Sequence, residues 1–281
     1  MKTLPLAVLL LAALAAFTCF QEKTPNQFSP APSVEIQPDS LLDQRFPPPP
    51  GFHRPTAKAG SFAEYLRHLP LKPPGTKVRY FDGREKENPG IYAAVVNLPI
   101  GRRDLHQCAD AVIRLRAEYL WRSGQYDQIR FHLTNGFLVE YERWRQGERV
   151  KVVANQTSWQ QKSAASNSYA TFWSYLEFVF SYAGTLSLAR ELQSVPVSDM
   201  QIGDIFIQGG SPGHAILVVD MAVDAAGKKV FMLAQSYMPA QETQILMNPA
   251  NRQTSPWYTA DFGNVLITPQ WTFDEGALGR F

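Results

Sequence analysis

A cysteine, a histidine and an amide occur in this chain in an order that could perform thiol chemistry. The histidine, His214, lies in residues 203–220 (GDIFIQGGSPGHAILVVD), where a glycine-rich turn meets a strongly apolar strand. A titratable ring at the tip of a turn with a rigid support is typical of functional sites. Cys108 would be its partner, because an imidazole can take a thiol proton and return it to a leaving group.

Cys108 stands near the start of a helix predicted over residues 104–123, with Asp104 as the expected N-cap. The positive end of the helix dipole favours a thiolate there, and a neighbouring imidazolium would favour it further. The chain has two cysteines, and export would remove or occupy the other one, Cys19. Cys108 is then either a small buried hydrophobe or a thiol kept for its reactivity.

The residue that would orient the imidazole ends the next predicted strand. Its apolar run, residues 230–234, is followed by Gln235 and Ser236. These two side chains point to opposite faces of a strand, and the pattern does not say which face carries the site. We favour Gln235 as the orienting residue, with Ser236 as the alternative.

The elements around these residues predict an α+β fold. A capping box at Ser61 opens a short helix, and residues 134–136 (TNG) predict a hairpin. One long aromatic helix is expected over residues 166–193, with Gly184 as a point where it could divide. Antiparallel strands follow. In the cysteine helix, charges at i, i+4 spacing predict a solvated face made of Asp110, Arg114, Glu118 and Arg122.

The N-terminal third of the chain predicts export and a tether. Residues 1–19 carry the apolar run of a signal peptide, with Ala13-Leu14-Ala15 as a cleavage motif. Cys19 offers the alternative of a lipid anchor. Residues 20–60 are proline-rich and are expected to be an extended linker with little packing. Residues 61–281 then form a single α+β domain.

Composition excludes several classes of function. The net charge of +2 comes from dispersed basic residues, which gives no sign of a nucleic-acid partner. Contact with a membrane is expected only through a lipid on Cys19. No cofactor is expected, because residues 211–213 lack the lysine and helix of a phosphate loop. No metal is expected either, since His106, Cys108 and His214 lack an evident fourth ligand.

The residues resemble the NlpC-type branch of papain-like cysteine peptidases. The shared layout is a cysteine at a helix start, a Gly-Asp strand, a loop, a strand led by histidine, and a polar strand end. The resemblance implies a papain-like, NlpC-like fold, in which the cysteine helix packs on an antiparallel sheet. A hairpin and the aromatic helix would be inserted, since Cys108 and His214 stand further apart than is usual in the branch.

The same resemblance implies that the Cys108 backbone N–H and a second donor hold the oxyanion, with Gln107 or His106 as candidates. One departure is that Gln107-Cys108-Ala109 replaces the usual Asp-Cys-Ser. The chain is also similar, over residues 69–273, to a family of exported bacterial proteins known as a domain of unknown function. That likeness includes QCADAVIRLRAEYLW, SYMPAQ and SPWY, and it implies no activity.

Two functions follow as expectations. In the first, an exported hydrolase cuts amide bonds of cell-wall or envelope peptides: Cys108 attacks, His214 transfers the proton and Gln235 orients the ring. In the second, a non-catalytic envelope protein uses the fold for binding or as a scaffold, with Phe137, Tyr141 and Trp144 and the SYMPAQ and SPWY segments as its contact surface.

Overall fold

The strand that begins at His214 is the longest among residues 40–281, and its apolar run requires cover on both faces. In the computed structural model, which describes residues 40–281, this strand is His214–Val223, and nine of its ten residues are buried. It lies inside an antiparallel sheet of eight strands. The described residues belong to one compact unit. The mixed α+β class predicted from the sequence is confirmed.

The elements follow one another in the order of the chain. The helices are α1 (Leu42–Arg45), α2 (Phe62–Arg67), α3 (Cys108–Arg122), α4 (Tyr141–Arg145), α5 (Tyr169–Tyr182) and α6 (Thr185–Glu191). The strands are β1 (Tyr92–Val95), β2 (Arg130–His132), β3 (Leu138–Glu140), β4 (Glu148–Val153), β5 (Gln156–Gln161), β6 (Gln193–Ser194), β7 (Ile205–Gln208), β8 (His214–Val223), β9 (Lys229–Gln235), β10 (Gln244–Leu246), β11 (Tyr258–Thr259), β12 (Val265–Ile267), β13 (Thr272–Asp274) and β14 (Leu278–Arg280).

The main sheet has the order β1-β10-β9-β8-β7-β14-β6, and β11 also pairs with β9. The β7–β8 register joins Gln208 to His214, so the glycine-rich turn closes a hairpin whose last pair contains the histidine. The β8–β9 register shifts between Val218 and Asp220. From His214 up to this irregularity, the side chains of β8 alternate regularly between the two faces of the sheet. Beyond it, the alternation is shifted by one residue.

Two apolar clusters cover the two faces of the sheet. Ala215 and Leu217 pack with the helices, including α3 and α5. Ile216 and Val218 pack on the opposite face with side chains such as Phe231 and Phe273. Because side chains alternate along a strand, His214 and Ile216 share the second face.

The cysteine helix is shorter and more deeply buried than predicted. It begins at Cys108, and its N-cap is Gln107 instead of Asp104. The solvated face predicted from charge spacing is wrong, because three of its four members are buried: Asp110, Arg114 and Glu118. The helical spacing correctly predicted that these residues share one face of the helix, but other chain segments cover that face.

The single long aromatic helix is two helices, α5 and α6, which separate at Gly184. Gly184 has an extended backbone, with φ −178° and ψ −168°. The Ser187 hydroxyl accepts its N–H at 3.1 Å, which begins the second helix. The junction turns the chain toward the loop that precedes His214.

The hairpin prediction is confirmed, since β2 and β3 pair across residues 134–136. Its aromatic side chains, however, do not form a surface. Tyr141 and Trp144 belong to α4 and are buried at 0% and 5% exposure. Trp257 and Tyr258 of the SPWY segment are buried as well. The contact surface expected for a scaffold role is therefore mostly core.

The predicted signal peptide and residues 20–39 of the predicted linker lie outside the described residues. Over the described part, a few residues before residue 61 dock on the domain. Leu42 is fully buried, and His53 forms a bridge with Val223 of β8. Arg54 pairs with the buried carboxylate of Asp220 at 2.7 Å. The domain thus includes residues near 42, and Ser61 is the N-cap of α2 as predicted, its hydroxyl accepting the N–H of Glu64 at 3.2 Å. The second half of the predicted capping box does not form, because the Glu64 carboxylate accepts the N–H of Gly60 instead.

Candidate active site

Cys108 is the first residue of α3, and its thiol faces the start of β8. Backbone N–H groups of Ala215 and Ala109 donate to the sulfur. The residue is 8% exposed. Burial raises the pKa of the Cys108 thiol, the two N–H donors oppose that rise, and Asp110 adds to it. The group is therefore a neutral thiol at pH 7, and the expectation that the helix end would favour a thiolate is wrong for this resting state.

His214 is held by Gln235, with 2.8 Å between Nε2 of the ring and Oε1 of the amide. Rings of Tyr237, Trp271 and Phe273 surround the imidazole at centroid distances of 5.0, 5.3 and 5.9 Å. Burial lowers the pKa of His214 to about 4, against the hydrogen bond from Gln235 that raises it. The imidazole is neutral at pH 7, with Nδ1 left without a hydrogen bond among the described residues.

The thiol lies close to the backbone at the start of β8, because the N–H of Ala215, the residue after His214, donates to the sulfur. The wall of the cavity that Cys108 lines does not include His214. Within residues 40–281 no hydrogen bond joins the sulfur to the ring. Catalytic hydrogen bonds are often long in a free enzyme and tighten when substrate binds. In the resting arrangement the thiol and the imidazole are both neutral and do not form an ion pair.

A cavity of about 570 Å³ opens in front of the thiol. Its wall includes Cys108 and Gln107 from α3, the α5–α6 junction at Gly184, Gly213 from the β7–β8 loop, and Met238. The volume lies in the range of small-molecule and peptide sites. The thiol can therefore meet a ligand although most of its surface is buried.

The two oxyanion candidates differ in position. Gln107 lines the cavity, and its Nε2 donates to Asp104 at 3.1 Å, which leaves one of its two hydrogens free. His106 is buried elsewhere: its Nδ1 lies 3.1 Å from the carbonyl oxygen of Gln241. Burial lowers the pKa of His106 to about 3. The geometry favours Gln107 and does not bring His106 to the cavity.

Ser236, the alternative orienting residue, points away from the imidazole. Its hydroxyl oxygen lies 2.8 Å from the carbonyl oxygen of His106 and 2.6 Å from that of Gln241. Because side chains alternate along a strand, the two candidates for the orienting residue point in different directions. Gln235 contacts His214, and Ser236 contacts the segment before α3.

Sequence reasoning missed a buried polar group behind Gln235. Nζ of Lys86 donates to Oε1 of Gln241 at 2.8 Å and to Oε1 of Gln270 at 2.9 Å. Nε2 of Gln235 donates to the same oxygen of Gln270 at 2.8 Å. Burial lowers the pKa of Lys86 to about 8. No pattern in the sequence points to Lys86, which lies in a turn-rich segment distant in the chain.

Asp110 was also misassigned, since it lines the cavity next to Cys108. Its Oδ2 accepts the N–H of Gln107 at 3.0 Å, and its Oδ1 is buried without a partner among the described residues. Burial raises the pKa of Asp110 to about 8, so the carboxyl is mostly protonated at pH 7. At pH 7 the Asp110 side chain therefore mostly carries no negative charge beside the thiol.

Two features are absent from residues 40–281. No cluster of three or more metal-ligating side chains occurs there. No helix in that part of the chain is both long and apolar enough to span a bilayer.

The chain matches a known protein family. The family described as a domain of unknown function (4846) matches residues 42–280. No curated protein and no solved structure matches the chain. The match begins at the first residue of α1, which agrees with the packing of this helix on the domain.

Proposed function

This chain belongs to the family domain of unknown function 4846, and we propose that it is a cysteine hydrolase of amide bonds. Cys108 would be the nucleophile, His214 the base and acid, and Gln235 the residue that orients the ring. The observation that carries the proposal is the 2.8 Å bond between His214 and Gln235, at the start of the strand whose next residue, Ala215, donates to the thiol of Cys108; Cys108 also lines a cavity. A papain-like arrangement of the NlpC type is part of the proposal.

In the first step the Cys108 sulfur attacks the carbonyl carbon of the bound amide. The thiol proton passes to Nδ1 of His214, the ring nitrogen that Gln235 leaves free. Negative charge develops on the carbonyl oxygen, where the backbone N–H of Cys108 and the free hydrogen of Gln107 can stabilise it. The first N–H groups of a helix have no partner within the helix, so the Cys108 N–H is available.

In the second step the tetrahedral intermediate collapses. The C–N bond breaks, the imidazolium gives its proton to the leaving amine, and a thioester remains on Cys108. Water then loses a proton to Nδ1 of His214 and attacks the thioester, which releases the acid and the thiol. An amine in place of water would give a transferase by the same steps.

We propose a peptide of the cell wall or envelope as the substrate and an exported location for the protein. The support is the signal-like sequence of residues 1–19 together with the likeness to the NlpC-type branch. The cavity of about 570 Å³ is large enough for a few residues of an extended peptide.

The test uses purified protein with isolated cell-wall sacculi and reads released fragments by mass spectrometry. We expect new amine and acid ends, and a thioester adduct on the peptide that contains Cys108. Cys108→Ala abolishes both signals, while Cys19→Ser, the matched change at the other cysteine, keeps them. His214→Ala lowers the rate by about 10²–10⁴-fold. Equal release by Cys108→Ala would refute the proposal.

A non-catalytic binding role is the second candidate. It is favoured by one observation: the resting thiol and imidazole are both neutral and share no hydrogen bond. Binding would use the cavity rim, where Met238 is 55% exposed, since most of the expected aromatic surface is core. A partner captured by the protein, lost in Met238→Ser and kept in Cys108→Ser, would favour this candidate.

A further inference from the structure

A continuous line of buried polar contacts runs from Lys86 to His214. The ammonium of Lys86 donates to Oε1 of Gln270 at 2.9 Å, and Nε2 of Gln235 donates to that oxygen at 2.8 Å. Oε1 of Gln235 then lies 2.8 Å from Nε2 of His214. Lys86, Gln235 and His214 are 5%, 1% and 1% exposed, so water cannot replace these contacts freely.

The lysine determines which atom donates and which atom accepts at each contact along this line. An ammonium has three donors and no acceptor, so the amide atom of Gln270 that faces it must be the oxygen. That oxygen accepts, so the amide atom of Gln235 that faces it must be the NH₂ group. The carbonyl oxygen of Gln235 is then turned to His214, and the ring nitrogen that it meets must carry a hydrogen.

We infer that Lys86 and Gln270 are positioning residues that fix His214 in the tautomer with hydrogen on Nε2 and a free lone pair on Nδ1. The inference rests on the proposed function for its meaning, because that tautomer is the one able to take the thiol proton of Cys108. In the opposite tautomer Nδ1 carries hydrogen and cannot act as a base. The lysine thus acts on the histidine through two amides without touching it.

A second contact keeps the lysine itself in place. Its Nζ also donates to Oε1 of Gln241, and Nε2 of Gln244 lies 3.3 Å from the same oxygen. The ring of Tyr237 lies 5.7 Å from Nζ, a distance at which a cation and an aromatic face attract. Because these partners accept or attract positive charge, they hold the ammonium beside Gln270.

The tautomer can be read directly from the ¹⁵N shifts of the His214 ring at pH 7.5. The chain has five histidines, and the spectrum of His214→Gln assigns the signal by difference. We expect one neutral form, with hydrogen on Nε2, in the unmodified protein. Gln270→Glu keeps an acceptor for both donors and keeps this form, whereas Gln270→Leu frees Gln235 and populates both tautomers.

We expect Lys86→Met to have the same effect on the tautomers as Gln270→Leu. Because Gln270 is only half-buried, Gln270→Leu is the variant less prone to unfold. With an active substrate, Gln270→Leu lowers the hydrolysis rate about fivefold to tenfold, the scale of one hydrogen bond. A single Nε2–H form in both Gln270→Leu and Lys86→Met overturns the inference, even if hydrolysis is intact. A tautomer shift in a protein that hydrolyses nothing keeps the inference and removes the proposed function.

Discussion

The charge state of the thiol gives the sharpest prediction, because it fixes how Cys108 reacts as pH changes. A thiolate is the reactive form of cysteine. Burial holds the pKa of the Cys108 thiol above its usual value and the pKa of His214 down at about 4. From pH 6 to pH 8 both groups are therefore neutral, and the small thiolate fraction grows as pH rises.

The size of the effect follows from the raised pKa of the thiol and the low pKa of the imidazole. Below the pKa of a thiol, its ionised fraction rises about tenfold for each pH unit. The second-order rate of alkylation of Cys108 by iodoacetamide should therefore rise by up to about hundredfold between pH 6 and pH 8. Asp110 ionises within the same interval and raises the pKa of the thiol, which reduces the rise toward pH 8. A pre-formed thiolate–imidazolium pair would instead give a rate that changes little over the same interval.

Alkylation is measured by mass spectrometry of the Cys108 peptide at several pH values, with Cys19→Ser to remove the competing thiol. His214→Ala should change the rate at pH 8 by less than about threefold, since a neutral imidazole contributes no charge. A flat profile from pH 5 to pH 8 in the unmodified protein, lost in His214→Ala, would refute the neutral pair and would indicate an ion pair instead.

Three further predictions concern the supports of the site. Gly213→Ala places a Cβ 2.4 Å from the Thr185 hydroxyl oxygen, so it should destabilise the loop before His214 by about 1–3 kcal/mol in urea unfolding; Gly276→Ala meets no atom within 4 Å and should be neutral. Asp220→Ala leaves two arginines without their carboxylate and should lower the free energy of unfolding by about 3 kcal/mol. In Gln235→Ala the imidazole loses its acceptor, and we expect a loss of about 1–3 kcal/mol.

Each of these three outcomes has a contrary result. Equal midpoints for Gly213→Ala and Gly276→Ala would mean that the loop relaxes around the added methyl group. A midpoint for Asp220→Ala that moves no more than that of an exposed carboxylate such as Asp261 would mean that the arginines find other partners. For Gln235→Ala, an unchanged midpoint would mean that water takes over the hydrogen bond to the ring.

Residues of the site that lie on regular elements were the ones that sequence reasoning found. His214 and Gln235 could be located because strand alternation and a strand end are local patterns. Cys108 was assigned to a helix start for the same reason, and in the structure the N-cap lies three residues later than predicted, at Gln107 instead of Asp104.

The misassigned residues depend on contacts between distant segments. Asp110 and Arg114 have the spacing of a solvated face, yet neighbouring segments cover them, and no local pattern reports that cover. Lys86 meets Gln270 across 184 positions of the chain. The thiol charge was mispredicted because the helix end was considered without the burial that opposes it.

The ion pair between Asp220 and the segment before α2 determines where the chain can be shortened. Asp220 lies in the strand that starts with His214, and its two oxygens hold Arg54 and Arg67 at 2.7 and 2.8 Å. A fragment that begins at Ser61 would lack Arg54, so this carboxylate would keep only one of its two cations. The fragment would also lack Leu42, and the buried position of that side chain would be unfilled. Expression, crystallisation and NMR work should therefore retain the chain from Ser40 onward, because a shorter piece would loosen the strand on which the imidazole stands.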